Sequence, residues 1–242
     1  MTTEDQPKLE HVPQTMQQPV EQYATRVQSL AGAHIQALTL FGSIAAGAFD
    51  PKSHTARSVL IVDDIDLEML RRLAKEGPKL GKVRIAAPLI MTPGYINTSL
   101  NTFPLEFLEI QQHHICVLGD DYFEELQLIE ADVRHECERE LKTILLGMRQ
   151  ALLATAGRDK LLTEIEFDVT ERVVRTLRGL LWLHGEKDPK PALAVVEAAE
   201  THFERKLPGL RTAVGSGPEH GWQEFKTLYA DVEAVGAQLD AW

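Results

Sequence analysis

Paired aspartates follow an apolar run in the first third of the chain, and their spacing could support metal chemistry. The segment "SVLIVDDIDLEML", residues 58–70, contains an Asp-Ile-Asp sequence at Asp64 and Asp66. Metal-dependent phosphoryl transfer uses carboxylates that converge on two ions roughly 3.5–4 Å apart. A turn-forming pair, Gly42-Ser43, lies upstream in "LTLFGSIAAGAF". The pattern raises magnesium-dependent chemistry as a hypothesis, with Asp64 and Asp66 as ligands.

The local structure of residues 63–76 decides whether these aspartates could share an ion. Residues i and i+2 of a strand point to the same face, whereas on a helix they lie about 200° apart. The segment "DDIDLEMLRRLAKE" favours a helix, because acidic residues come first and basic residues come later. We predict that the strand ends at Val62, that Asp63 or Asp64 is the N-cap, and that Asp66 lies in the first helical turn.

Composition limits the classes of partner. The chain has 242 residues, of which 25 are basic and 36 acidic, for a net charge of −11. This charge disfavours non-specific binding to nucleic acid or to an anionic membrane. The sequence contains no run approaching the roughly 18 apolar residues of a membrane span, so a soluble cytoplasmic protein is expected. Cys116 and Cys137 are expected to be buried thiols.

The hydrophobic pattern predicts three regions. Residues 1–19 are rich in Gln, Pro and Thr and are predicted to be a disordered arm. Residues 20–127 are predicted to form an α/β domain with a mixed sheet, after an opening helix that ends near Gly32. Its predicted strands are "HIQALTLF", "SVLIV", "KVRIAAPLIMT", "FPLEFLEI" and "HHICVLG".

Residues 128–242 have a different hydrophobic pattern, with apolar residues at steps of three and four. This spacing predicts an all-α helical bundle of four helices. The predicted helices cover residues 132–156, 162–184, 191–206 and 221–239.

Taken together, these segments resemble the nucleotidyltransferase superfamily, in particular minimal and kanamycin-type nucleotidyltransferases and a bacterial group with a helical C-terminal domain. The resemblance spans roughly residues 25–240. It rests on "LTLFGSIAAGAF", "APLIMTPGYINTSLNTFPLEFLEI", "HHICVLGDDYFEEL" and "VRHECERELKTILLGMRQALL". It implies that the turn at Gly42 and Ser43 helps to hold nucleotide phosphates, and that Glu106 supplies a metal-binding carboxylate from a strand. Glu109 lies close enough to compete for that assignment.

The chain departs from the pattern of this superfamily at the metal ligands. Members carry an Asp-x-Asp at the start of the strand after the Gly-Ser turn, where residues 55–58 of this chain read "TARS". Arg57 adds positive charge where the resemblance places a divalent ion. The departure favours a catalytically degenerate domain. Asp50, or Asp64 with Asp66, could supply ligands only under the alternative of an active enzyme.

Two further groups of residues could do chemistry. His114 and Cys116 would share a strand face and offer two zinc ligands, whereas a structural zinc site needs four. Arg178 and His184, in "RGLLWLH", have a spacing that resembles the ribonucleases of the HEPN group of helical domains.

Several functional hypotheses follow. The first is a catalytically degenerate nucleotidyltransferase-like protein that binds a nucleotide or regulates a partner. The second is an active enzyme that uses Mg²⁺ and a nucleoside triphosphate to transfer a nucleotide to a small molecule or a protein. The third is a protein-interaction module, as a homodimer or with another protein, or a HEPN-like ribonuclease.

Overall fold

Contacts divide the chain into two compact units. Unit 1 comprises Met1–Thr102 and Glu106–Gln127, and unit 2 comprises Phe103–Leu105 and Leu128–Trp242. No helix within the described residues is long and apolar enough to cross a membrane. The structure is a computed structural model that describes residues 6–47, 49–52, 54–188, 190–215 and 221–240.

A mixed sheet is the centre of unit 1. The strands are β1 (Ile35–Phe41), β2 (Arg57–Val62), β3 (Leu89–Met91) and β4 (His114–Gly119). They lie in the order β3-β2-β1-β4; β1 is antiparallel to β2 and β4, while β2 and β3 are parallel. The helices between residues 14 and 112 are α1 (Gln14–Ala31), α2 (Leu67–Ala74), α3 (Gly77–Lys82), α4 (Pro93–Ser99) and α5 (Pro104–Gln112).

One face of the sheet packs in the same core cluster as α1. Leu38 and Leu40 alternate along β1 and are fully buried with Val20 of α1, as expected for residues that share a strand face. The hydroxyl of Tyr23, also on α1, lies 3.0 Å from that of Ser58. Burial raises the pKa of Tyr23 to about 12, so its hydroxyl is neutral. Apolar packing of Leu38 and Leu40 therefore holds the middle of β1 against α1.

The predicted disordered arm over residues 1–19 is wrong for residues 6–19; residues 1–5 lie outside the described part. Helix α1 begins at Gln14, and both Val12 and Met16 are buried. They extend the apolar stripe of Val20 toward the N-terminus in steps of four. The abundance of Gln and Pro hides this stripe, and Pro19 inside the helix argues against it in the sequence.

The segment "FPLEFLEI" is helical, which corrects the predicted strand. Helix α5 starts at Pro104, a residue that suits a first helical turn. Leu105, Phe107, Leu108 and Ile110 are all buried. A short helix buried on most of its surface shows no clear helical period, and its alternating residues imitate a strand.

The third predicted strand, in "KVRIAAPLIMT", is shorter than expected. Only Leu89–Met91 pair regularly with β2. Ile85 contributes an isolated bridge to Ala56.

Unit 2 is helical throughout its described regular elements. The helices are α6 (Glu130–Ala154), α7 (Asp159–Leu183), α8 (Ala192–His202), α9 (Pro208–Gly215) and α10 (Trp222–Asp240). The link between α6 and α7 is short, so these long helices are antiparallel neighbours. The prediction of α/β architecture followed by a helical bundle is confirmed. Four helices were predicted, and α9 was missed because it is short and its flanking Pro and Gly residues suggested a loop.

Candidate functional site

Strand β1 ends in a tight turn at Gly42. Its φ of +77° lies in the left-handed region that favours glycine. Gly42–Ile44 then form one turn of 3-10 helix, in which the side chain of Ser43 is half-buried. The amide of Gly42 donates to the carbonyl oxygen of His113 at 3.0 Å. That amide is engaged within the protein, whereas the resemblance implied that it faces an anion.

Arg57 lies against this turn. It opens β2 directly opposite Phe41, the last residue of β1, and opposite residues on neighbouring strands share a face. The guanidinium carbon of Arg57 lies 4.6 Å from the centre of the Phe41 ring, within the range of a cation–π contact. A Cβ at residue 42 would lie 2.5 Å from Nη2 of Arg57. Glycine at 42 therefore meets two requirements: the backbone conformation and the close approach of the guanidinium.

Glu109 completes the cluster. Its carboxylate forms an ion pair with Nη2 of Arg57. The Glu109 side chain is 13% exposed and that of Arg57 is 47% exposed, so solvent reaches the pair from the arginine side. Leu108 and Ile110, the neighbours of Glu109 on α5, are buried and hold this part of the helix in place. We call Phe41, Gly42, Arg57 and Glu109 the strand-end cluster.

Glu106, the carboxylate predicted on a strand, lies instead on α5, one turn before Glu109. Its side chain is half-buried. The prediction of a strand carboxylate is wrong because the segment is helical. Glu109, the competing assignment, forms an ion pair with Arg57, which lies beside the turn.

Asp64 and Asp66 lie at the other end of the sheet from the Gly42-Ser43 turn. They follow the end of β2 at Val62, which pairs with Ile35, the first residue of β1, whereas Gly42 follows its last. The seven residues of β1 separate the two ends by roughly 20 Å, at about 3.3 Å per residue. The structure does not bring these aspartates together with the turn.

The acidic run serves the start of α2. Asp66 is the N-cap, and its carboxylate accepts from the amide of Glu68 at 2.8 Å. The prediction of Asp63 or Asp64 as the N-cap is therefore wrong, because the helix begins two or three residues later. Asp63 instead pairs with Nδ1 of His34 at 2.9 Å, and this hydrogen bond lowers the pKa of Asp63.

The residues at the turn do not fit a divalent cation. Such a site needs converging oxygen ligands, but the strand-end cluster offers one carboxylate, and that carboxylate is paired with a guanidinium. Asp50 is exposed, and its amide donates to Nδ1 of His54 at 3.0 Å within the connecting loop. Across the ranges that the structure describes, no group of three or more His, Cys, Asp or Glu could hold a metal ion.

His114 and Cys116 take part in local contacts of β4. Nε2 of His114 lies 2.8 Å from a carboxylate oxygen of Asp121, and its Nδ1 lies 3.1 Å from the carbonyl oxygen of Gln111. Burial and the charge of Asp121 raise the pKa of Cys116. The side chain of His114 is therefore engaged by Asp121 and Gln111, and Sγ of Cys116 lies 3.4 Å from the carbonyl oxygen of Leu118.

Arg178 and His184 point to different partners in unit 2. The guanidinium of Arg178 donates to the carbonyl oxygen of Lys190 at 3.3 Å. The ring of His184, the C-cap of α7, lies with its centre 3.5 Å from that of His202. Burial and the proximity of His202 lower the pKa of His184. Neither contact places the two side chains on a common reacting group.

Among the comparisons with known proteins, the one with solved structures supports the fold. No known family model matches the sequence. No curated protein matches it either. A solved structure is similar: the spectinomycin adenyltransferase AAD(9) from Enterococcus faecialis, determined with ATP and spectinomycin, with a TM-score of 0.61 and 12% identity. The match covers 92% of this chain and 98% of that chain. The fold is therefore nucleotidyltransferase-like.

Proposed function

We propose that this chain is a catalytically degenerate nucleotidyltransferase-like protein that binds a nucleotide at the strand-end cluster and so has a binding or regulatory role. The observation that carries this proposal is the position of Arg57. Its guanidinium lies against Gly42 and Phe41, at the start of the strand that follows the Gly42-Ser43 turn.

Binding of phosphate is favoured by the chemistry of the exposed guanidinium. Arginine presents a planar set of N–H donors that matches the oxygens of a phosphate group. The ring of Phe41 and the close approach to Gly42 restrict the side chain, which lowers the entropy lost on binding. The similar adenyltransferase was solved with ATP, and ATP is therefore the nucleotide to test first.

Loss of transfer is favoured by the carboxylates. Glu109 is paired with Arg57, while Asp64 and Asp66 lie at the far end of the sheet. A two-metal transfer requires carboxylates that converge on the reacting phosphate. The arrangement around Gly42 supports binding more directly than catalysis.

The alternative is an active Mg²⁺-dependent nucleotidyltransferase, which the likeness to a spectinomycin adenyltransferase favours. Both functions can be tested on the purified full chain. Calorimetry would measure ATP binding, and radiolabelled ATP with Mg²⁺ and spectinomycin or protein acceptors would measure transfer. We expect binding without transfer. Transfer of labelled nucleotide that is lost in Glu106→Ala would establish the alternative, and no ATP binding would reject both functions.

A further inference from the structure

The ion pair between Arg57 and Glu109 has a consequence for how a ligand binds. We infer that the Glu109 carboxylate occupies the place of a ligand phosphate on Arg57, and that binding exchanges one for the other without a divalent cation. This inference rests on the proposed function, because it describes how the nucleotide is bound. It defines Glu109 as a built-in competitor of the ligand.

The first support is that Arg57 can keep its position when its partner changes. The Phe41 ring lies against the guanidinium, and a Cβ at residue 42 would come within 2.5 Å of its Nη2. These contacts involve an aromatic face and a backbone position, and neither depends on Glu109. The guanidinium therefore remains at the turn after the carboxylate leaves.

The second support is the chemical equivalence of the two anions. Carboxylate and phosphate oxygens accept the same paired N–H donors of a guanidinium, and charge-assisted hydrogen bonds of this kind are strong. A terminal phosphate carries more negative charge than one carboxylate. The Arg57 side chain is 47% exposed, so an incoming phosphate can reach it before Glu109 has moved away.

The third support is that the cation needed to receive the phosphate is already part of the chain. A metal ion also neutralises phosphate charge, and proteins usually hold such an ion with one or two carboxylates. At this turn the guanidinium supplies the positive charge, and the nearby carboxylate competes with the phosphate for it. A divalent cation therefore has no required place in binding.

The test uses calorimetric titration of ATP into the full chain, once with EDTA and once with Mg²⁺. We expect binding in EDTA. Because ion pairs that solvent reaches are worth up to about 1 kcal/mol, Glu109→Gln should tighten binding by about two- to fivefold. Arg57→Gln should weaken it by about tenfold or more, the value of a charge-assisted hydrogen bond. Arg57→Lys keeps the charge without the planar donors and should give an intermediate loss.

A matched control is available in unit 1. Arg26 and Glu76 form an ion pair at 2.9 Å with side-chain exposures of 48% and 12%, nearly those of the pair in the strand-end cluster. Arg26→Gln and Glu76→Gln should leave ATP affinity unchanged. Thermal unfolding of every variant checks that the fold is retained.

The outcomes separate this inference from the function on which it rests. Binding in EDTA that tightens in Glu109→Gln supports both. Binding that requires Mg²⁺ and does not respond to Glu109→Gln overturns the inference while leaving nucleotide binding in place. No ATP binding under either condition overturns both.

Discussion

Charged side chains make different contacts at the strand end of unit 1 and among the helices of unit 2. Arg57 and Glu109 bond side chain to side chain, next to solvent. In unit 2, the carboxylate of Glu200 accepts from the backbone amide of Leu207 at 2.9 Å, just before α9. Asp231 likewise accepts from a backbone amide in the first turn of α9, at 2.9 Å.

The difference separates fixed charges from exchangeable ones. An amide at the start of a helix lacks a partner within that helix, so a carboxylate that accepts from it is part of the helix end. Such a carboxylate cannot leave without exposing or unfolding that end. A carboxylate that bonds a half-exposed arginine but caps no helix end can rotate away. Charge at the strand end is therefore available for function, whereas the charge of Glu200 serves structure.

Glu200→Gln is expected to cause the largest loss of stability. The substitution keeps the shape but weakens the hydrogen bonds from the Leu207 amide and from Arg211, which lies at 2.6 Å. We expect the free energy of unfolding to fall by about 2 kcal/mol. Glu197 is the control, because it pairs with the same Arg211 but is half exposed; Glu197→Gln should cost less than about 1 kcal/mol. Equal losses in urea denaturation would contradict the distinction between fixed and exchangeable charge.

The pH dependence of this effect follows from the same contacts. The hydrogen bond from Arg211, with that from the Leu207 amide, holds the pKa of Glu200 at about 2, below its ordinary 4.5. Its contribution to stability is therefore present above pH 4.5 and is lost as the pH falls through about 2. The difference between wild type and Glu200→Gln should shrink over that range.

Glu166 provides the converse case in unit 2, a buried carboxylate whose surroundings disfavour its charge. Burial and the nearby carboxylate of Glu224 raise the pKa of Glu166 to about 7. The folded protein then holds this proton more tightly than the unfolded chain, so stability falls as the pH rises from 4.5 through about 7.

Glu166→Gln should therefore stabilise the protein at about pH 8, by about 1–2 kcal/mol, and should give no gain below pH 4.5. The exposed Glu164 on the same helix is the control, and Glu164→Gln should change little at either pH. Thermal unfolding at the two pH values measures the effect. A gain that is equal at both pH values would show that removal of charge is not its cause.

The parts of the fold that sequence could predict have a clear hydrophobic pattern. Strands β1 and β2 follow from apolar runs that end at Gly42 and at the acidic residues after Val62. Helix α6 follows from buried residues in steps of three and four, such as Val133, Cys137, Leu141 and Ile144. In each case local spacing and tertiary burial agree.

The rest depended on contacts between distant residues. Arg57 and Glu109 are 52 residues apart, so their pairing required the position of α5 on the sheet, and that helix was predicted as a strand. Phe41 was missed as a site residue because the register that pairs it with Arg57 comes only from the assembled sheet. Its place next to Gly42 was the one signal in the sequence. Arg57 itself could be singled out, because a positive charge at that position conflicts with a divalent ion.

Glycine substitutions at the turn can sharpen the comparison within unit 1. Gly42 and Gly47 have φ values of +77° and +70°. A Cβ at residue 42 would meet the Arg57 guanidinium, whereas a Cβ at residue 47 would have no atom within 4 Å. Each change to Ala should cost about 1 kcal/mol through backbone strain. Only Gly42→Ala should also weaken ATP binding, by about fivefold, because it displaces the guanidinium. Calorimetry on both variants measures this, and equal losses of affinity would show that strain alone acts.

The smallest expected effect concerns His184, where chemistry was also predicted from sequence. Burial and the adjacent ring of His202 lower the pKa of His184 from its ordinary 6.5, which favours the neutral ring in the folded protein. Stability should therefore decline as the pH falls from 6.5 toward the lowered pKa. His202→Gln removes one cause and should shift the pKa of His184 upward, as measured by NMR titration. An unchanged pKa would mean that burial alone sets it and that His202 has no part in keeping the ring neutral.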